Sequence, residues 1–167
     1  MKKIAIAVLL SAFVAAPAFA ADMYVGVKLG SAKNEVSGIT ESSSAFGVFG
    51  GYTIIQNLAV EVGYTDLGSM AAGIIKLSTL ELSAVGSVPI NEQFSIFGKL
   101  GMANTAEKGS GLTVNRSVAT IGLGGQYKVA PTFGIRIGWD VYGFGDDNTI
   151  FKTGASNLLS ISGVFKF

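Results

Sequence analysis

Eight charged residues stand in surroundings that do not suit a free charge: Lys28, Glu61, Glu81, Lys99, Lys128, Arg136, Asp140 and Lys166. Each is flanked by apolar residues or glycine, and most residues two places away are small or polar. A charge in a narrow, low-dielectric space must be paired or wetted, so the first chemistry these residues suggest is ion pairing. Glu61 and Glu81 are both acidic, which in principle allows acid–base work. The chain contains no His and no Cys, however. That removes Ser–His and Asp–His arrangements, the commonest general base and any thiolate metal site. No catalytic, cofactor or metal site is therefore expected. Asp146-Asp147-Asn148 offers a few oxygen ligands, but a Ca²⁺ site needs ~6–8 oxygens, so a solvated acidic loop is the better reading. The Gly122–Gly125 run lacks the following Lys-Ser/Thr of a phosphate loop.

The elements that carry these charges have a period of two. Met23, Val25, Val27 and Leu29 alternate with Tyr24, Gly26, Lys28 and Gly30. Leu58, Val60, Val62 and Tyr64 alternate with Ala59, Glu61, Gly63 and Thr65. Phe133, Ile135, Ile137, Trp139 and Val141 alternate with Gly134, Arg136, Gly138, Asp140 and Tyr142. Eight such segments can be read, and in each the charges lie opposite the apolar face. A helical period would scatter them. Each segment has about the 9–11 residues a tilted strand needs to cross a bilayer.

The first twenty residues read differently. Lys2 and Lys3, the apolar stretch Ile4–Ala16 and Ala18-Phe19-Ala20 form a secretory signal pattern with cleavage after Ala20. Removing them changes 12 basic and 11 acidic residues to 10 and 11, which leaves no large basic surface for nucleic acid. The chain is 49% hydrophobic with 14% charged residues, yet beyond residue 20 it has no apolar run long enough for a spanning helix. A membrane barrel reconciles these facts, because only helices and closed barrels satisfy their backbones in lipid. The expectation is an all-β fold, an eight-stranded antiparallel up-and-down transmembrane β-barrel over residues 21–167, preceded by a cleavable signal peptide at 1–20.

Connections alternate in length. Ile54–Asn57, Pro89–Gln93 and Val129–Thr132 read as short turns. Ala32–Ser44, Asp66–Gly73, Asn104–Asn115 and Gly143–Ser156 read as longer outer loops. This arrangement puts the short turns and both mature termini in the periplasm. Tyr52, Phe94, Tyr127, Phe133, Phe165 and Phe167 lie on outward faces near the short-turn ends. Tyr64 and Trp139 lie nearer the loop ends, so two aromatic belts at the membrane interfaces are expected. Glycine, at 23 of 167 residues, often falls on the inward face, where it lets a narrow barrel close around larger side chains.

Several motifs resemble the OmpA/OmpX-type small outer-membrane barrels, a group with opacity-protein-like surface antigens. They are Tyr24-Val25-Gly26-Val27-Lys28-Leu29-Gly30, Phe49-Gly50-Gly51-Tyr52, Glu61-Val62-Gly63-Tyr64, Pro89-Ile90, Lys99-Leu100-Gly101 and Gly124-Gly125-Gln126-Tyr127 ahead of Arg136. Their order and spacing cover nearly all of residues 21–167. The resemblance implies a bacterial outer-membrane location, contact with lipid and lipopolysaccharide, and delivery by the barrel-insertion machinery. Phe165 and Phe167 match the family's terminal insertion signal, although Ser162 stands where the family usually has Gly and Gly163 follows it. Ending at Phe167, the chain is expected to lack the peptidoglycan-binding domain of larger family members. The inward charges then have two readings. Lys28, Glu61, Glu81, Lys99, Arg136 and Asp140 form either a structural ionic plug or, as the resemblance also implies through Glu61 and Arg136, a switchable gate for small solutes. The corresponding functions are a structural or surface-interaction protein with possible host or cell-surface ligands at the outer loops, or a narrow solute channel.

Overall fold

Strand follows strand in this chain, each hydrogen-bonded antiparallel to the next, and the last returns to the first. The strands are β1 (Met23–Val36), β2 (Ile39–Ile55), β3 (Leu58–Met70), β4 (Ile75–Pro89), β5 (Phe94–Gly109), β6 (Leu112–Ala130), β7 (Phe133–Gly143) and β8 (Ala155–Lys166). The computed structural model describes residues 22–36, 39–70, 75–109, 112–143 and 155–167. The signal segment at 1–20 and the Asp146-Asp147-Asn148 cluster lie outside the described residues.

Register sets the geometry of the barrel. Following Cα partners from Met23 through Tyr52, Val60, Ala84, Leu100, Ile121, Val141 and Asn157 returns to β1 at Lys33, a stagger from position 23 to 33. With strands ~4.8 Å apart and ~3.3 Å per residue, that stagger tilts the strands by about 40° and gives a backbone radius of ~8 Å. A cylinder so narrow brings its inward side chains into contact with one another.

The alternation divides the residues between two environments. Tyr24, Lys28, Phe49, Glu61, Glu81, Phe97, Lys99 and Asp140 are buried inside. Val27, Leu29, Val62, Leu82, Leu100, Leu123, Ile137 and Ile161 are exposed outside, among many large apolar residues. Water would not tolerate so continuous an apolar surface, whereas lipid favours it. The outward apolar face has a defined upper edge. Ser31 and Ser44 pair there, as do Asp66 with Ser78 and Asn104 with Ser117. On β5 the apolar outward positions run from Phe94 to Met102 before Asn104 follows. At this tilt they cover roughly 20 Å, close to the ~25 Å apolar band of membrane barrels.

The outer connections differ from the sequence reading. Most of Ala32–Ser44, Asp66–Gly73 and Asn104–Asn115 is strand, paired in register up to Val36↔Ile39, Met70↔Ile75 and Gly109↔Leu112. Strands accordingly run from 11 to 19 residues. Above the apolar edge the outward face is polar and the inward face turns apolar, as with Leu67 and Leu77. Pairing continues because the backbone ladder does not depend on which face is apolar. A bulge between Asp66 and Gly68 also shifts the alternation by one residue. Gly68 sits there at φ 85°, a left-handed conformation suited to glycine. Its N–H donates to Asp66 Oδ1 at 2.8 Å.

The short connections follow the sequence reading more closely. Gln56 and Asn57 turn between β2 and β3, and Pro131 and Thr132 between β6 and β7. In the Pro89–Gln93 segment, Asn91 Oδ1 accepts from the N–H groups of Gln93 (2.9 Å) and Phe94 (2.7 Å). That side chain takes the place of a backbone acceptor and holds the reversal.

Candidate functional site

One repeated device assembles the interior: a long side chain, a glycine on the next strand, and a partner beyond it. Tyr24 on β1 is opposite Gly51 on β2, which is opposite Glu61 on β3. A Cβ on Gly51 would come within 2.2 Å of the Tyr24 ring. The glycine therefore lets Tyr24 lie across β2, and its hydroxyl donates to Glu61 Oε1 at 2.7 Å. Lys99, Gly122 and Asp140 repeat the pattern across β5, β6 and β7. A Cβ on Gly122 would stand 2.3 Å from Asp140 Oδ1, and Lys99 Nζ crosses that gap to Asp140 Oδ1 at 2.8 Å.

These rows form two layers of charge. In the layer nearer the short turns, Arg136 Nη1 meets Glu61 Oε1 at 2.5 Å across the barrel. Arg136 Nε also donates to Gln126 Oε1 at 3.1 Å, its direct cross-strand partner. The guanidinium lies 4.7, 5.2 and 5.6 Å from the ring centroids of Phe97, Phe49 and Tyr24. Such rings present their negative faces to a desolvated cation. In the second layer, Lys99 Nζ reaches Glu81 Oε1 at 2.8 Å, a close ion pair without the angle of a good hydrogen bond. Lys28 Nζ stands 3.6 Å from Asp140 Oδ2. Tyr142 donates its hydroxyl to Glu81 Oε2 at 3.1 Å. Lys28, Lys99 and Arg136 balance Glu61, Glu81 and Asp140, so this buried group is neutral.

A third layer was not foreseen from the sequence. Ala32, Ala45, Leu67, Leu77, Ala103, Val118, Tyr142 and Leu158 form one buried apolar cluster, with one residue from each strand. None exceeds 6% exposure. It lies on the loop side of the charges. Asn34 closes it further, donating to Ser43 Oγ (3.1 Å) and the Leu67 carbonyl (3.3 Å) and accepting from Ser156 Oγ. Of its members, Ala32 and Leu67 fall in segments that read as loops in the sequence, while Tyr142 stands there on an inward strand face. Tyr24, Gln126 and Tyr142 were likewise not singled out as partners of the charges. The glycine between Tyr24 and Glu61 is the signal that would have paired those two.

Six charges named from the sequence are thus brought together, and two are not. Lys128 and Lys166 sit at the short-turn mouth, exposed, lining a cavity of about 150 Å³ with no ion pair among the described residues. A second cavity of about 120 Å³ reaches inward to Tyr24, Gln126 and Arg136. Between the charge layers the remaining space is about 20 Å³, enough for roughly one water. Among the described residues no cluster of carboxylates is arranged to hold a metal.

Outside, Tyr52, Tyr64, Phe94, Tyr127, Trp139, Phe165 and Phe167 are exposed, and Phe133 is half-buried. Phe94 pairs with Tyr127 and Phe133 with Phe165, the latter rings 4.8 Å apart. The Phe133 ring also covers Gly163: a Cβ there would be 3.4 Å from it. Ser162 beside it faces inward and is buried.

Residues 18–137 match the family described as OmpA-like transmembrane domain. Outer membrane protein P5 of Haemophilus influenzae is 30% identical over 82% of this chain and 50% of its own length. Outer membrane protein A of Escherichia coli O157:H7 is 30% identical over 100% of this chain and 55% of its own. The chain thus spans about half the length of these curated relatives. Among solved structures, Neisserial surface protein A superposes with a TM-score of 0.70 at 22% identity, covering 87% of this chain and 97% of that one. Ail, the attachment invasion locus protein of Yersinia pestis, gives 0.59 at 16% identity, covering 89% and 99%. Both likenesses concern the fold.

Proposed function

The chain belongs to the OmpA-like transmembrane domain family of outer-membrane β-barrels, and from that premise we propose that it is a closed, membrane-anchored surface protein. In this reading residues 1–20 are a signal peptide cleaved after Ala20, and Phe165 and Phe167 serve recognition by the insertion machinery. The short turns face the periplasm, and the extended strand ends stand outside the cell. The outward aromatics form the two interfacial belts, in contact with lipid and lipopolysaccharide. The polar collar of Ser31, Ser44, Asn104 and Ser117 above the apolar band is the surface offered to other cells or host factors. The attachment named for Ail is the kind of activity such a collar would carry.

The observation that carries closure is the apolar ring from Ala32 to Leu158 above a charge-balanced layer. An ion crossing it would shed much of its water against apolar side chains. The opposing reading, a gated channel, draws on the Arg136–Glu61 pair beside the 120 Å³ cavity. Planar-bilayer recording separates the two. On the closed reading Arg136→Ala stays silent, while Tyr142→Ala, which removes the largest ring residue, gives measurable current. Current from Arg136→Ala alone would replace the closed reading with a gate.

A further inference from the structure

We propose that the short-turn mouth of the barrel holds a binding site for a small, water-borne tetrahedral oxyanion, between Lys166 at the rim and Arg136 at the floor. The site is the inner cavity of about 120 Å³, the space of roughly four waters. Lys166, Arg136, Gln126, Ser87 and Ser95 supply most of its polar lining. Among the described residues no carboxylate lines it. Glu61 lines the space between the charge layers instead, and Glu92 lines only the outer cavity. Two cations and no anion therefore border one space.

The lining is rich in donors that the fold leaves over. Gln126 Oε1 accepts from Arg136 Nε, which leaves the Gln126 amide N–H groups to donate. A guanidinium has five N–H donors, and Gln126 and Glu61 engage only those on Nε and Nη1. Ser87 and Ser95 are half-buried hydroxyls. Lys166 adds an ammonium with no ion-pair partner among the described residues. An oxyanion accepts on several sides at once, and charge-assisted hydrogen bonds hold it best. Register decides where the ligand comes from. Lys166 is the Cα partner of Tyr24, which is buried inside, and directly opposite residues share a face of the sheet. Lys166 thus looks into the lumen and away from lipid. Lys128, the partner of buried Gly134, looks the same way and lines the outer cavity. The two cavities share Ser95, Gln126, Val164 and Lys166, so Lys128 stands on the approach. A lipid headgroup lies on the wrong side of the wall for this site, whereas a dissolved anion does not. The site is independent of whether the barrel conducts. In the orientation proposed above, its ligand comes from the periplasm.

The experiment uses the full chain refolded into octylglucoside micelles, which carry no phosphate and leave both barrel ends open to water. Inorganic phosphate is the probe. Its binding is read by phosphorus NMR line broadening and by the urea midpoint, at constant ionic strength. Wild type should broaden the line saturably, lose the broadening to sulfate, and gain in midpoint as phosphate is added. Lys166→Gln should weaken affinity about tenfold, and Lys128→Gln should weaken it less. Lys33→Gln, on the outward face near the other end, should leave it unchanged. Ser95→Leu keeps every charge and fills the cavity, so it should abolish binding. Binding that survives Ser95→Leu overturns the site, as does displacement by chloride as readily as by sulfate. Either result reduces it to general attraction of anions to a basic mouth. Absence of saturable broadening in wild type overturns it too. If Ser95→Leu does not refold to the heat-modifiable barrel, Lys166→Gln against Lys33→Gln decides, and equal affinities overturn the site. Phosphatidylglycerol added to the micelles should leave phosphate affinity unchanged. Competition by that lipid would overturn the water-borne ligand in favour of a headgroup.

Discussion

Removing Glu61 should destabilise the barrel sharply without opening it. Its carboxylate lies 2.5 Å from Arg136 Nη1, and both side chains are little exposed, at 7% and 11%. At an effective dielectric of ~20, two unit charges ~4 Å apart attract by ~4 kcal/mol. Glu61→Ala loses that attraction and the Tyr24 hydroxyl's acceptor, and leaves a guanidinium buried. Gln126 and three aromatic faces still hold Arg136, which returns ~1 kcal/mol or more. The expected loss is therefore about 3 kcal/mol, the lower part of the range for a broken buried pair. In urea, with a slope of ~2 kcal/mol per molar, the unfolding midpoint should fall by roughly 1.5 M.

The double variant Glu61→Ala/Arg136→Leu should recover most of that loss. It removes the stranded charge and fills the space with an apolar side chain among Phe49 and Phe97. Both variants should stay electrically silent, because the apolar ring is untouched. Tryptophan emission from Trp139, on the outward face, follows unfolding in vesicles. A loss below ~1 kcal/mol for the single variant would refute the reasoning, since it would mean that water screens the pair as at a surface.

Two further outcomes test other layers of the same argument. Leu100, 66% exposed near the middle of the outward apolar stretch of β5, should tolerate arginine poorly. Leu100→Arg should cost about 2–4 kcal/mol in vesicle unfolding, whereas a water-facing position would register within ~0.5 kcal/mol. Gly51→Ala should displace the Tyr24 ring, which a Cβ would meet at 2.2 Å. The loss should be ~1–3 kcal/mol, and the double variant Gly51→Ala/Tyr24→Ala should remove the clash, so a further additive loss would count against it.

What the sequence made legible was the part of each strand that lies in lipid. There, outward Val27, Val62, Leu100 and Ile137 contrast with inward Lys28, Glu61, Lys99 and Arg136, and a period of two is plain. The same strands became illegible where they leave the apolar band. Outward positions turn polar at Ser44, Asp66 and Asn104, while inward positions turn apolar at Ala45, Leu67 and Ala103. The polarity of the two faces therefore exchanges within one strand. On β3 the bulge at Gly68 adds a slip of one residue at the same place. Local pattern then reads as an irregular polar loop, although the ladder runs on to Met70↔Ile75.

The interior followed the same division. Glu61 with Arg136, and Glu81 with Lys99, could be matched from depth and strand order alone. The span from Lys99 to Asp140 needed knowledge that Gly122 lies between them in register. Register depends on where the bulges fall, and those are properties of pairing rather than of any one segment. This bears on which layer closes the barrel. A charge layer is conspicuous in a sequence because each member is rare in its setting. An apolar ring assembled from one Ala, Val, Leu or Tyr per strand has no conspicuous member. On the closed reading proposed above, the ring is the barrier, and it is tied to the charge layer through the Tyr142 hydroxyl on Glu81. Moving Lys99 between Glu81 and Asp140 rearranges charges on the short-turn side of the ring, whose members run from Ala32 to Leu158.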